Sequence, residues 1–139
     1  MKKVLFVCTG NTCRSPMAEG IYNSLSEGAI SRGISAEGGK ASENAIKAMA
    51  KMGIDITEHV STQLTVEDVK EADLVLCMTQ RHKFTVCAVV PEAEGKVFTI
   101  GEAAGGGDVA DPYGRDEAVY TAVAEELYNY IERIVEKLK

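Results

Sequence analysis

The sequence contains no tryptophan, no apolar run long enough to cross a membrane, no repeat or low-complexity segment, and no zinc-type spacing of its four cysteines with its two histidines. Each absence narrows what the chain can do. A membrane-spanning helix needs about 20 apolar residues, and the run that follows Lys2-Lys3 ends at Thr9-Gly10, too soon for the core of a signal peptide. The net charge of −6 repels nucleic acid and anionic membrane surfaces, so neither is an expected partner. Cys8, Cys13, Cys77 and Cys87 fit neither a disulfide framework nor a metal site, and no metal or other cofactor is expected. A soluble, cytoplasmic monomer follows as the expectation, with residues 1–139 as one domain large enough for a substantial core.

What is there centres on Cys8-Thr9-Gly10-Asn11-Thr12-Cys13-Arg14-Ser15, between the apolar run Val4 to Val7 and Pro16. The run suits a strand buried on both faces. Gly10 and Asn11 are residues that adopt positive φ easily, so the backbone can curl and turn its N–H groups inward around an anion. Pro16 suits the first turn of a helix, whose free amides and partial positive charge face back into the loop. Residues Thr9 to Cys13 and Ser15 therefore form a candidate site for a phosphate-sized dianion. Arg14 can grip two phosphoryl oxygens with its planar fork, and Cys8 lies where a thiolate is favoured, with five residues between the two. A thiolate beside a bound phosphoryl group is a nucleophile, and the Ser15 hydroxyl can donate to it.

Residues 8 to 19, Cys-Thr-Gly-Asn-Thr-Cys-Arg-Ser-Pro-Met-Ala-Glu, resemble the phosphate-binding loop and first helix of the low-molecular-weight protein tyrosine phosphatases and their protein arginine phosphatase branch. Asp111-Pro112-Tyr113-Gly114 is similar to the family's acid loop. Leu74 to Thr79, with His82-Lys83 after it, is similar to the central strand and following turn. The resemblance implies a low-molecular-weight phosphatase domain over residues 1–139, a phosphorylated protein as substrate and inorganic phosphate as product. His59 matches a family histidine that supports the loop, while Ser31 stands where the family has Ser-Ala-Gly, here Ser31-Arg32-Gly33.

Along the chain, the first helix continues from Met17 to about Leu25, and a second strand is expected over 29–34. Ser42 is a good N-cap for a helix to Met52, Thr65 opens a capping box with Asp68, and Asp73 to Met78 reads as a strand. A helix is expected over 80–89, a fourth strand over 96–100, and a mobile loop at Gly105-Gly106-Gly107. Tyr120, Val123, Leu127, Ile131, Ile134 and Leu138 mark the inner face of a long helix over 116–138. Strands alternating with helices give an α/β fold. Its expected form is a single four-stranded parallel sheet with helices on both faces and the phosphate-binding loop after the first strand.

Hydrolysis through a phosphocysteine needs an acid for the leaving group and then a base for water, and one carboxyl can serve as both. Asp111 is the candidate, with Asp108 as a substitute. Cys13 shares the loop with Cys8, so oxidation could join them in a reversible disulfide that protects the nucleophile. In the family's tyrosine-specific branch a bulky aliphatic residue stands at the position of Thr12, and aromatic residues wall the pocket. Here Thr12 offers a hydroxyl and Tyr113 a single ring, which is poor for a phenyl group but suits a guanidine. The reading leans to phosphoarginine, with phosphotyrosine as the alternative. An arsenate reductase relaying a disulfide through Cys77 and Cys87, and a non-catalytic phosphate-binding module, are less favoured.

Overall fold

The computed structural model describes residues 2–139. Strand β1 (Val4–Cys8) runs up the middle of a parallel sheet, flanked by β2 (Ala29–Gly33) and β3 (Leu74–Cys77), with β4 (Val97–Thr99) at the far edge. The order is β2-β1-β3-β4, and in register Cys8 lies opposite Gly33 while Val7 lies opposite Cys77. Every residue of β1 is buried, as a continuous apolar run in a covered parallel sheet requires.

Successive β1 residues feed two separate cores, because strand side chains alternate between faces. Val4, Phe6 and Cys8 join one cluster beneath α1 (Arg14–Leu25), α2 (Glu43–Lys51) and α6 (Glu117–Leu138). Leu5 and Val7 join the other, against α3 (Val66–Glu71) and α4 (Gln80–Val89). The long helix buries Tyr120, Val123, Leu127, Ile131 and Ile134 as its spacing predicts, with Leu138 packed at the margin. Caps fall where the sequence signals them at Ser42, on Ala45 N–H, and at Thr65, paired with Asp68; Asp116, read as the first residue of the long helix, is its N-cap and accepts from Val119 N–H.

Three expectations need correction. The fourth strand is shorter than residues 96–100, because a 3₁₀ turn over Pro91–Lys96 precedes it and Ile100 already begins α5 (Ile100–Ala104). The signal for α5 was Thr99 followed three residues later by Glu102, which form a reciprocal capping box. The third strand likewise stops short of Asp73 and Met78. Third, Gly105 to Gly107 are pinned to α6. Gly105 caps α5 in the left-handed region at φ 88°, Gly106 lies against the Tyr130 ring, and Gly107 N–H donates to Tyr130 Oη at 3.0 Å.

Leu127 is fully buried between α6 and the first cluster. Leu127→Ala should cost about 2–5 kcal/mol of unfolding free energy through lost transfer and cavity formation. Urea denaturation followed by circular dichroism would read it as a lower midpoint at unchanged slope.

Candidate active site

At the carboxyl end of β1 the chain turns sharply, and Asn11 is the pivot. It is the only non-glycine residue at positive φ among the described residues, at 57°, and it is fully buried. Its side chain makes three hydrogen bonds. Oδ1 accepts from Thr62 N–H at 2.8 Å, while Nδ2 donates to Ser15 Oγ at 2.8 Å and to Ser31 Oγ at 3.0 Å. Those bonds assign the hydroxyl protons. Ser15 Oγ accepts from Asn11, so its own O–H is free to donate to Cys8 Sγ at 2.8 Å. Ser31 Oγ in turn donates to Glu19 Oε1 at 2.7 Å. Cys8 Sγ also accepts from Asn11 N–H at 3.3 Å, so an amide and a hydroxyl both point at the sulfur.

The backbone around this turn is braced from outside. His59 Nε2 donates to the Asn11 carbonyl at 2.7 Å, Ser61 Oγ donates to the Gly10 carbonyl at 2.8 Å, and Ser42 N–H donates to the Thr12 carbonyl at 2.8 Å. With the carbonyls tied outward, the loop leaves its N–H groups for an anion. Gly33 permits the close approach of β2, since a Cβ there would lie 2.8 Å from the Thr9 carbonyl oxygen.

Arg14 is buried at the start of α1, and its Nη1 donates to the Val109 carbonyl at 2.9 Å. Val109 is itself anchored, its N–H donating to the Met78 carbonyl beyond β3. Two residues on, Asp111 Oδ2 stands 3.6 Å from Arg14 Nη2, half exposed, while Oδ1 accepts from Tyr113 N–H at 3.0 Å. Asp108, the substitute carboxylate, is used elsewhere: it accepts from Gln80 N–H at the start of α4. Cys8, Thr9, Gly10, Thr12, Cys13, Arg14, Asp111 and Tyr113 thus line one open cleft of about 400 Å³. Ser35 and Glu37, from the loop after β2, complete its rim and were not anticipated. Only the loop's proximity to the strand end could have suggested them.

The other cysteines sort by core. All four thiols are free. Cys13 Sγ lies 3.2 Å from Tyr120 Oη and 3.6 Å from Ser42 Oγ, and burial pushes the Tyr120 phenol up to about 12. Cys77 is buried in the second cluster with Cys87 at its edge, across the sheet from Cys8, and burial raises its thiol well above the ordinary range. Their positions are those of packing residues.

His82 touches the loop: Nε2 lies 2.8 Å from Thr9 Oγ1 and Nδ1 lies 3.1 Å from Thr79 Oγ1. Burial, then the nearby Arg14 charge, hold it down at about 4, against weaker upward pulls from Asp111 and Asp108. The unfolded chain takes up this proton near its ordinary 6.5. Between those two values the unfolded state binds more protons, so the His82 contribution to stability shrinks as pH falls through that window and is constant above it. His82→Gln should therefore lose less stability than the parent between about pH 7 and about pH 5. Urea midpoints of the two proteins across that range check it; parallel curves would contradict it.

This geometry has close counterparts. A protein-arginine-phosphatase of Bacillus subtilis is 39% identical over 145 residues, covering 98% of this chain and 96% of its own. The structure of the YwlE arginine phosphatase from Geobacillus stearothermophilus matches with a TM-score of 0.95 at 40% identity, covering 99% of this chain and 93% of that one. A low molecular weight protein tyrosine phosphatase from T. tengcongensis matches with a TM-score of 0.93 at 49% identity, covering 99% of both chains. The family model described as low molecular weight phosphotyrosine protein phosphatase spans residues 3–139, and the chain, a cysteine-dependent protein phosphatase, belongs to that family.

Proposed function

We propose that this phosphatase removes the phosphoryl group from phosphoarginine in proteins through a phosphocysteine formed on Cys8. The observation that carries the chemistry is the convergence of the Cys8 sulfur, its two hydrogen-bond donors, the Arg14 guanidinium and the Asp111 carboxyl on one cleft. The phosphoryl group sits in the cradle of Thr9 to Cys13 and Ser15, with Arg14 clamping its oxygens. Cys8 thiolate attacks phosphorus as the bond to the leaving nitrogen breaks, and Asp111 gives that nitrogen its proton. Water then attacks the phosphocysteine, Asp111 takes the water's proton, and the sulfur leaves as a thiolate held by Ser15. Inorganic phosphate is released, and no metal or cofactor enters.

Three features favour phosphoarginine over phosphotyrosine. Thr12 puts a hydroxyl where a bulky aliphatic side chain would grip a phenyl ring, Tyr113 is the only aromatic on the cleft, and Glu37 adds a carboxylate to its rim. A guanidinium engages carboxylates and stacks on one ring; a phenyl ring needs apolar walls. The reading extends to a cytoplasmic monomer, with residues 1–139 as one catalytic unit acting on phosphorylated proteins. Among the described residues no helix is long and apolar enough to cross a membrane.

The test compares a phosphoarginine peptide with a phosphotyrosine peptide, no metal added. The parent should prefer phosphoarginine, Thr12→Ile should shift preference toward phosphotyrosine, and Cys8→Ser should be inactive on both. Asp111→Asn should lower kcat by about 10²–10⁴-fold. A parent that prefers phosphotyrosine, with Thr12→Ile changing little, would make this a tyrosine phosphatase instead.

A further inference from the structure

His82 has no place in the chemistry above, yet it is only 4% exposed and its ring spans two threonines on different elements. One is Thr79, the N-cap of α4, which fixes the ring to a rigid helix start. The other is Thr9, the first residue of the loop beyond Cys8, exposed and lining the cleft.

Proton accounting orients the chain. Thr79 Oγ1 already accepts the His82 backbone N–H at 3.3 Å, so its own O–H is available for Nδ1. Neutral imidazole then carries its proton on Nε2, which donates to Thr9 Oγ1. With that oxygen accepting from behind, the Thr9 hydroxyl proton turns toward the cleft. In the opposite tautomer Nδ1–H and the backbone N–H would both fall on Thr79 Oγ1, its proton would lack a protein partner, and Thr9 would spend its proton on the ring. Each arrangement leaves one hydroxyl proton without a protein partner, and the first places it on exposed Thr9 at the cleft where the second would place it on half-buried Thr79. Burial, and after it the Arg14 charge, oppose a second proton on the ring and outweigh the opposite pull of Asp111 and Asp108.

We propose that His82 is a positioning residue that holds the Thr9 hydroxyl with its proton facing the cleft, making Thr9 Oγ1 a side-chain donor to the bound phosphoryl group. The inference rests on the cleft being the phosphoryl site, and it is independent of whether arginine or tyrosine carries the phosphate. It adds a hydroxyl to the backbone cradle, on the side of the phosphoryl group nearest α4.

Competitive inhibition of aryl phosphate hydrolysis by inorganic phosphate, measured on the full chain, tests it. Thr9→Val keeps the side-chain shape without the hydroxyl and should raise the inhibition constant about tenfold, the range for a hydrogen bond to a charged group. His82→Leu should raise it by about three- to tenfold, and the Thr9→Val/His82→Leu double variant should be no worse than Thr9→Val alone. His82→Gln, whose amide N–H can reach Thr9, should return the constant to within about twofold of the parent. Nitrogen NMR of the parent should show the His82 proton on Nε2. Additive losses in the double variant, an unchanged constant in Thr9→Val, or a proton on Nδ1 would overturn the proposal while leaving the phosphatase reading intact. A parent that phosphate does not inhibit at all would overturn the site itself.

Discussion

The left-handed backbone of Asn11 is the constraint on which the rest depends. At φ 57° it reverses the chain immediately after a buried strand, and its side chain joins the loop to the segment at Thr62, the start of α1 at Ser15 and strand β2 at Ser31. A non-glycine residue held there costs about 1–3 kcal/mol unless its surroundings fix it. Asparagine meets that cost because its amide replaces missing backbone contacts. Glycine would relax the backbone and lose all three bonds; alanine would lose the bonds and keep the strain. The same amide sets the direction of the Ser15 hydroxyl toward Cys8, so the fold constraint and the preparation of the nucleophile are one interaction.

The acid loop reaches the same point by a different route. Its glycines are fastened to Tyr130 of α6, Val109 is bonded to the Met78 carbonyl, and Arg14 Nη1 ties to the Val109 carbonyl. Arg14 therefore links the two halves of the site, holding the loop that carries Asp111 while keeping Nη2 toward the cleft. Asp111 stays half exposed at the end of this scaffold, open to water.

Much of this was legible in the sequence because the signals were local. The run Val4 to Val7, the turn at Asn11, Pro16 and the caps at Ser42 and Thr65 each act within a few residues and form as read, although of Gly10 and Asn11 only Asn11 takes positive φ. The periodic face of α6 was equally clear. What escaped were relations between segments distant in the chain. His82 touches Thr9 across 73 positions, and Glu37 reaches the cleft only because β2 pairs beside β1. Among the glycines read as mobility at 105–107, Gly105 caps α5 at positive φ and Gly106 leaves room for the Tyr130 ring, a contact invisible without the helix that carries it. The short α5 was the exception, since Thr99 and Glu102 announced it locally.

Charge makes the substrate question physical. The chain has 21 acidic against 15 basic residues, so its long-range field does not draw in an anionic substrate. Phosphate must be held at short range, by amides of a curled loop and by one buried guanidinium. Around that anion cradle the rim carries Asp111 and Glu37. A phosphorylated phenol presents only negative charge and a ring to such a rim, and the Glu37 carboxylate opposes it. A phosphorylated guanidine presents the same phosphoryl group together with N–H donors, which the Glu37 carboxylate can accept from. The cleft thus matches a group whose charge is divided along its length, anionic at the sulfur and cationic at the mouth.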